Sequence, residues 1–283
     1  IGAITNGVHA GTWVSEPFQR LFDKHMSGWR RDTNYLRYAT GIPADEVRQA
    51  HMEAKAALLA EVERRRKVKL DPAALTIGFA RRATGYKRGD LLFSDLDRLR
   101  GIVNRVGPLQ VIYSGKAHPK DETGKQIIAQ IFASAKELRD AIKVTYVEDY
   151  DMGVAHYLCS GVDLWLNNPQ KPLEASGTSG MKAAMNGVPS LSVLDGWWIE
   201  GWVEGATGWA IGDENPSEER TEIASMYDKL EYAITPMFYR QPTQYAAVMR
   251  SAISINGSFF SAQRMMLQYY RNVYMASGEG FAA

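Results

Sequence analysis

Short apolar runs alternate with segments of helical periodicity through the middle of the chain, from residue 73 to residue 212. Near-continuous apolar strands that alternate with helices are typical of a parallel sheet covered on both faces. The pattern therefore predicts an α/β fold with a Rossmann-like parallel sheet. The predicted strands are Leu75–Ala80, Leu109–Ser114, Ile142–Val147, Val162–Leu166 and Ser190–Leu194, with an edge strand at Trp209–Ile211. The predicted helices lie around Asp90–Val103, Asp121–Asp140, Gly153–Ser160 and Thr178–Asn186.

The segment before this core has a different pattern. It begins as a loop with aromatic residues and continues as a long helix, which starts near Pro43 and ends in the basic run at residues 64–67. Proline is favoured at a first helical turn, and cations suit a helix C-terminus. The break at Asp71-Pro72 ends the segment, so we predict a division into residues 1–70, 71–212 and 213–283.

The last segment predicts helices that pack on the core. Its start signal is the run Pro216-Ser217-Glu218-Glu219, and its final stretch, Met265–Tyr274, is amphipathic. Aromatic residues and methionines at helical spacing are typically core residues. We therefore interpret those of the last segment as core contacts and not as cofactor contacts.

Composition and charge narrow the class of protein. The 283 residues are 45% hydrophobic and 23% charged, which suffices for a normal globular core. The formal net charge of +1 gives no support for nucleic-acid binding as the main role. The single cysteine, Cys159, has no disulfide partner, and the five histidines have no metal-ligand spacing. We therefore expect no metal site. No apolar run reaches about 18 residues and no signal-peptide pattern opens the chain, so we expect a cytoplasmic protein that does not bind membranes.

Cations follow the first predicted strand, at the strand end where ligands of open α/β sheets bind. The loop contains four cations within eight residues: Arg81, Arg82, Lys87 and Arg88. An arginine offers a planar bidentate fork and a lysine offers a compact charge. We interpret this loop as a phosphate clamp, and the alternative is a solvated loop.

A second candidate site is the loop Ser176–Gly180, which leads into the predicted helix that contains Lys182. Its two glycines let the backbone approach an anion, and its three hydroxyl side chains add donors. A tight turn with an N-cap has the same composition, so the loop alone leaves both interpretations open. Lys182 follows Thr178 by about one helical turn, so both side chains can face one pocket.

The spacing between Glu174 and Lys182 is informative, because Lys182 lies eight residues after the acid. Retaining sugar-nucleotide transferases with two Rossmann-like domains often carry acids at both positions, and the second acid holds the ribose. A primary amine beside a small-residue loop instead suits a cofactor with an aldehyde and a phosphate. Asn6, Trp13 and Tyr150 are weaker signals, and we interpret their surroundings as local turn chemistry.

Together these motifs resemble the α-glucan phosphorylases, the family of glycogen and maltodextrin phosphorylases, and specifically their C-terminal half. The similarity runs over nearly the whole chain, and Glu-Ala-Ser-Gly-Thr-x-x-Met-Lys is its most specific part. The matching stretches are ITNGVHAGTW (4–13), FARRATGYKR (79–88), YSGKAHP (113–119), VEDYDMGVAHYL (147–158), EASGTSGMKAAMNG (174–187) and NGSFFSAQRMMLQYY (256–270).

The resemblance implies a GT-B type domain that binds pyridoxal phosphate. Lys182 would form a Schiff base with the cofactor. Gly177, Thr178 and Arg81 would hold the cofactor's phosphate, and Tyr150 would lie near the cofactor.

The resemblance also implies the substrate contacts. Arg82 and Lys87 would clamp the substrate phosphate, so these two residues and Lys182 are the expected catalytic residues. The residues expected to bind the glucosyl unit are Glu174, Asn6 and the backbone of Ala175, Ser176 and Gly177.

The implied reaction is phosphorolysis of a terminal α-1,4-linked glucose. Inorganic phosphate and an α-1,4-glucan would give glucose 1-phosphate with retention. In this family the cofactor's phosphate acts as acid and base beside the substrate phosphate, and a positive cluster offsets their repulsion. Family members also have an N-terminal half that forms the other wall of the cleft. We therefore expect that the chain lacks that half and is nearly inactive alone.

Some residues depart from the muscle-type pattern of the family. Thr84-Gly85 and Ser179-Gly180 point to the shorter bacterial and archaeal branch, and they speak against animal-type allosteric control. Two alternatives remain. Lys182 disfavours a nucleotide-sugar-dependent transferase of glycogen-synthase type, and the intact set of Arg82, Lys87, Glu174 and Lys182 disfavours a non-catalytic binding module.

Overall fold

The middle of the chain forms a six-stranded parallel sheet in a computed structural model, which describes residues 2–213, 215 and 218–275. The strands are β1 (Leu75–Ala80), β2 (Leu109–Ser114), β3 (Lys143–Val147), β4 (Leu164–Asn167), β5 (Ser190–Val193) and β6 (Gly208–Ile211). Their order is β3-β2-β1-β4-β5-β6, and every neighbouring pair is parallel. This is the order of the doubly wound Rossmann fold, so the predicted α/β fold class is confirmed.

Helices precede, connect and follow the strands. The first are α1 (Ala10–Trp13), α2 (Glu16–His25) and α3 (Ala44–Arg66), with a 3₁₀ segment at Thr33–Gly41. The connecting helices are α4 (Leu96–Arg105), α5 (Glu122–Glu137), α6 (Met152–Gly161), α7 (Thr178–Ala184) and α8 (Trp198–Gly201), with 3₁₀ turns at Gly85–Lys87 and Leu91–Phe93. The last are α9 (Glu219–Asp228), α10 (Thr235–Arg240), α11 (Pro242–Ser251) and α12 (Ala262–Tyr269), with π-helical turns at Lys229–Ile234, Ala252–Gly257 and Tyr270–Met275.

Both faces of the sheet are covered, because successive side chains of a strand point to opposite faces. Val111 and Tyr113 of β2 lie in a core that includes residues of α4 and α5. Ile112, between them, lies in a second core with Leu58 of α3 and Leu158 of α6. Burial on both faces explains why the strands are continuous apolar runs in the sequence.

Aspartates set the starts of the connecting helices. Asp95, Asp121 and Asp151 each accept a hydrogen bond from the backbone N–H three residues later, at 2.8, 2.9 and 2.8 Å. Such caps satisfy a donor that the first helical turn leaves unpaired. The helix predicted around Asp90–Val103 is therefore divided, because the cap at Asp95 begins α4 only after a short 3₁₀ turn.

The prediction of a loop before the long helix was wrong for residues 16–25, which form α2. Pro17 stands in the first turn of this helix, where proline needs no hydrogen-bond partner. Phe18, Leu21 and Phe22 are buried on one face of α2. Their i, i+3, i+4 spacing is typical of an amphipathic helix.

The last segment matches its prediction only in part. Met226, Tyr245 and Met249 are buried in the core shared with the sheet. The stretch Met265–Tyr274, in contrast, was wrongly predicted to be core, because α12 and the turn after it have no buried residues. The predicted start signal at residues 216 and 217 lies outside the described residues, and α9 begins at Glu219.

The domain boundaries at residues 70 and 212 stay a prediction. No helix in the described part of the chain is long and apolar enough to cross a membrane.

Candidate functional site

The loops after β1 and β4 meet at the carboxyl edge of the sheet. The two strands are neighbours, but the chain continues from β1 to β2 on one side and from β4 to β5 on the other. Such a topological switch point is the common ligand site of open α/β sheets. The loop after β1 contains residues 81–88, and the loop after β4 leads through residues 168–177 into α7.

Glu174 is the centre of a buried charge cluster at this edge. Its Oε2 accepts hydrogen bonds from Arg81 and Lys87, and its backbone N–H donates to Asp195 at 2.8 Å. Arg81 also donates to Asn167, the last residue of β4. Burial disfavours the charge on Glu174, but the attraction of Arg81 and Lys87 outweighs it and holds the pKa of Glu174 below its ordinary value.

The cluster contains two cations for one carboxylate, so it retains positive charge that an anion can neutralise. The side chains of Arg81 and Lys87 are only 9% and 10% exposed. Burial lowers the pKa of Arg81, partly against the attraction of Glu174. The Nε of Arg81 is buried, and no hydrogen-bond partner for it lies among the described residues.

Arg82 differs from its neighbours, because it is exposed. Within the described ranges, no ion pair or hydrogen bond engages its guanidinium. The structure therefore brings Arg81, Lys87 and Glu174 together and leaves Arg82 at the surface beside them.

Lys182 lies in α7 with its amine over the indole ring of Trp13, 3.8 Å from the ring centroid. Trp13 in turn stacks on the ring of His156, with the ring centroids 6.4 Å apart. Burial lowers the pKa of Lys182, so more of its amine is neutral than in an exposed lysine. A neutral amine is the nucleophilic form. Burial raises the pKa of Cys159, nearby, to about 12, which makes that thiol a poor nucleophile.

The small-residue loop before α7 is fixed by Trp197. Gly177 has a φ of 80°, in the left-handed region that favours glycine. A Cβ at Gly180 would lie 2.6 Å from the Trp197 ring, so only glycine permits this approach. The backbone N–H of Trp197 donates to the carbonyl of Ser176 at 2.8 Å. Ser176, Gly177 and Thr178 are therefore held beside Glu174 by packing from the loop after β5.

The N-terminal segment reaches this loop from the other side. Asn6 Nδ2 donates to Ser176 Oγ at 3.3 Å, and Arg264 donates to the carbonyls of Thr5 and Asn6 at 2.7 and 2.9 Å. A cavity of about 470 Å³ lies between them, lined by Asn6, Ala175 and Ser176 among others. Local turn bonding is present, since Asn6 Oδ1 accepts from the backbone N–H of Gly7 at 2.8 Å, but distant segments of the chain also position Asn6 and Trp13.

Tyr150 follows β3 and is partly buried. Burial raises the pKa of its phenol above the ordinary value, so the hydroxyl remains a hydrogen-bond donor. A turn precedes it, because Asp149 has a φ of 55°, but the segment also contacts a distant element, since Glu148 pairs with Arg66 of α3 at 2.9 Å.

The sequence interpretation assigned no individual role to three residues that support the site: Asn167, Asp195 and Trp197. Asn167 ends β4, and Asp195 is the second residue after β5. A polar residue at the carboxyl end of an apolar strand was the signal that could have identified both of them. Trp197 had no such signal, since its role depends on the glycines that it contacts.

Comparisons with known proteins identify the family of the chain. A family model described as carbohydrate phosphorylase matches residues 1–215. The glycogen phosphorylase of Aquifex aeolicus is 40% identical over 97% of the chain and 44% of its own length. The maltodextrin phosphorylase of Thermococcus litoralis is 40% identical over 97% of the chain and 36% of its own length. The glycogen phosphorylase of Mycobacterium tuberculosis is 34% identical over 99% of the chain and 36% of its own length.

The chain thus spans less than half the length of these curated relatives. The family match covers most of the chain, including the cation loop after β1 and the segment that contains Lys182. The chain belongs to the carbohydrate phosphorylase family.

Proposed function

We propose that this chain is the pyridoxal-phosphate-binding part of an α-glucan phosphorylase. The reaction would transfer the terminal glucosyl unit of an α-1,4-glucan to inorganic phosphate and give glucose 1-phosphate with retention. The observation that carries the proposal is the half-buried amine of Lys182 at the same sheet edge as the positive cluster of Arg81 and Lys87. The names of the relatives, glycogen and maltodextrin phosphorylase, support the substrate class.

The residues fit pyridoxal phosphate, which needs an amine for its aldehyde, an apolar wall for its ring and donors for its phosphate. Lys182 offers an amine whose pKa is lowered by burial, with an indole beside it. Arg81 offers a buried guanidinium with an unpartnered Nε, and we assign it to the phosphate together with Gly177 and Thr178. When bound, the cofactor supplies a phosphate group that can exchange a proton with the substrate phosphate.

We assign Arg82 and Lys87 to the substrate phosphate. Arg82 is exposed and has a planar fork that suits a phosphate. Lys87 and Arg81 donate to the same oxygen of Glu174. A phosphate can therefore replace the carboxylate as the partner of Lys87, while Arg81 keeps its bond to Glu174. This arrangement would stabilise two phosphates close together, because their charges meet fixed cations in a site of low polarity.

The glucosyl unit would bind on the other side of Glu174. We assign its hydroxyl groups to the Glu174 carboxylate, to Asn6, and to the backbone of Ala175, Ser176 and Gly177. Asn6 and Ala175 are exposed in this chain. Phosphorolysis must exclude water, which would otherwise compete with phosphate. We therefore propose that a second wall, from the half of a GT-B type enzyme that this chain does not contain, completes the cleft and that the chain alone has little activity.

Covalent labelling tests the cofactor assignment. The chain is incubated with pyridoxal phosphate, reduced with borohydride and mapped by peptide mass spectrometry. We expect the label on Lys182, and we expect Lys182→Arg to lose it, because arginine keeps the charge but has no primary amine. Lys120→Arg, which changes an exposed lysine, is the matched control and keeps the label.

Two results would contradict the proposal. The first is a label that is absent from Lys182 or spread evenly over exposed lysines. The second is tighter binding of a nucleoside diphosphate glucose than of pyridoxal phosphate, which would favour the glycogen-synthase type of transferase.

A further inference from the structure

A second cavity, of about 310 Å³, lies at the opposite edge of the sheet. It is bounded by α3, by the loop before β1, and by α10 and α11. Asp163, which stands directly before β4, lies at its base. The six residues of β1, at about 3.3 Å each, place about 20 Å between this edge and Arg81. The cavity therefore shares no residue with the proposed phosphorylase site.

A buried charge cluster fixes the base of this cavity. Asp163 accepts hydrogen bonds from His51 Nε2 at 2.8 Å, from Lys55 Nζ at 2.6 Å and from the backbone N–H of Thr76 at 2.7 Å. Burial disfavours the charge on Asp163, but the attraction of Lys55 and the hydrogen bond from His51 keep its pKa below the ordinary value. Since an ionised carboxylate only accepts, His51 Nε2 must carry a hydrogen.

The other ring nitrogen of His51 has no partner. His51 is only 5% exposed and lines the cavity, and its Nδ1 is buried without a hydrogen-bond partner among the described residues. In the imidazole tautomer that has its hydrogen on Nε2, Nδ1 is an acceptor. Buried polar atoms are seldom left unpaired, so this atom calls for a ligand with an O–H or N–H group.

The walls and the mouth define the rest of the ligand. Phe238 lies edge-on to Tyr239 and to Tyr245, with centroid distances of 5.0 and 5.3 Å, so the wall is aromatic. Arg48 lines the mouth and is exposed, and no ion pair in the described part of the chain engages it. Arg48 and His51 are three residues apart in α3, so they lie on the same face of the helix.

We propose that this cavity binds a small aromatic carboxylate that also carries a hydroxyl or N–H group. The donor would bind His51 Nδ1 at the base, the ring would pack on Phe238 and Tyr245, and the carboxylate would pair with Arg48 at the mouth. The volume is at the lower end of the range for small-molecule sites, which suits a single substituted ring.

Calorimetric titration of the purified chain with 4-hydroxyphenylacetate tests the proposal. Phenylacetate lacks the hydroxyl donor and 4-methylphenol lacks the carboxylate. We expect phenylacetate to bind about tenfold more weakly, because the buried acceptor is then unpaired. 4-Methylphenol is expected to lose less affinity, because an exposed ion pair contributes little.

Two variants locate the binding site. Arg48→Gln should remove the preference for 4-hydroxyphenylacetate over 4-methylphenol, whereas Arg37→Gln, an exposed arginine that does not line the cavity, should leave it unchanged. Ala73→Trp should abolish binding by filling the mouth, and circular dichroism shows whether this exposed loop variant is folded. Failure of all three probes to bind, equal affinities for the three, or binding that is insensitive to Arg48→Gln or to folded Ala73→Trp would overturn the proposal.

Discussion

Two buried carboxylates stand near the opposite ends of β4, and each has two basic side chains beside it. Asp163 comes directly before the strand, and Glu174 follows in the loop after it. The bonds to Asp163 use both oxygens and include the backbone of β1. The bonds from the cations to Glu174 converge on one oxygen, Oε2.

The difference shows how similar clusters can serve stability or ligand binding. His51 and Lys55 belong to α3, so the Asp163 cluster ties a helix to the sheet. Arg81 and Lys87 belong to a loop at the carboxyl edge of the sheet, the edge where open α/β sheets bind ligands, beside exposed Arg82. A cation that shares its acceptor atom with another can change partners more easily than one held between a helix and a strand. We therefore expect the Asp163 cluster to serve mainly stability and the cations of the Glu174 cluster to serve mainly anion binding.

The largest effect should come from Asp163→Asn. Removal of this charge leaves the ammonium group of Lys55 buried without a counter-charge, so the free energy of unfolding should fall by about 3–5 kcal/mol. Urea denaturation measures the loss. Asp140→Asn is the control, since Asp140 pairs with Arg100 at 2.6 Å but is 67% exposed, and the loss should be much smaller because solvent screens an exposed pair. Equal losses in the two variants would show that the Asp163 cluster is not a stabilising link.

The next effect concerns phosphate binding by the Glu174 cluster. Glu174→Gln removes the carboxylate that competes with phosphate for Lys87. Inorganic phosphate should therefore bind about tenfold more tightly, or by about 1.4 kcal/mol. Calorimetric titration measures the affinity, with Glu148→Gln as the control because Glu148 pairs with Arg66 outside the cluster. Unchanged or weaker phosphate binding would contradict the partner exchange.

The free energy of unfolding should depend on pH through the buried carboxylates of the two clusters. The folded-state pKa values of Asp163 and Glu174 are lowered. Their contribution to stability is therefore present above the unfolded-state pKa, about 4, and is lost as the pH falls through the folded-state values. Each carboxylate can add a slope of at most about 1.4 kcal/mol per pH unit. Below a pH of about 4, the free energy of unfolding measured by urea denaturation should fall less steeply with pH for Asp163→Asn than for the unmodified chain. An identical slope would show that the ionised Asp163 does not stabilise the fold.

The smallest effect on stability should come from Arg82→Gln. Arg82 is exposed and makes no ion pair in the described residues, so the free energy of unfolding should change by less than about 0.5 kcal/mol. Phosphate affinity should nevertheless fall in the same calorimetric titration. Arg20→Gln, another arginine with an exposed side chain, controls for the loss of one positive charge. If Arg82→Gln binds phosphate as tightly as this control, Arg82 is not part of the phosphate site.

The amino-acid sequence by itself determined the α/β fold class, because the apolar runs and caps that specify each strand and helix are local features. It also placed Arg81, Lys87, Glu174 and Lys182 after strands, where ligands bind. It was misleading where an amphipathic pattern had no packing partner, as in Met265–Tyr274, which no described part of the chain buries.

Only the tertiary structure decided which of these residues meet. The strand order makes β1 and β4 neighbours, and that adjacency joins Arg81 and Lys87 to Glu174. The contacts of Trp13 with Lys182, of Asn6 with Ser176 and of His51 with Asp163 also join segments far apart in the chain. Local periodicity carries no information on such contacts, because they depend on how whole elements pack and not on the residues next to them in sequence.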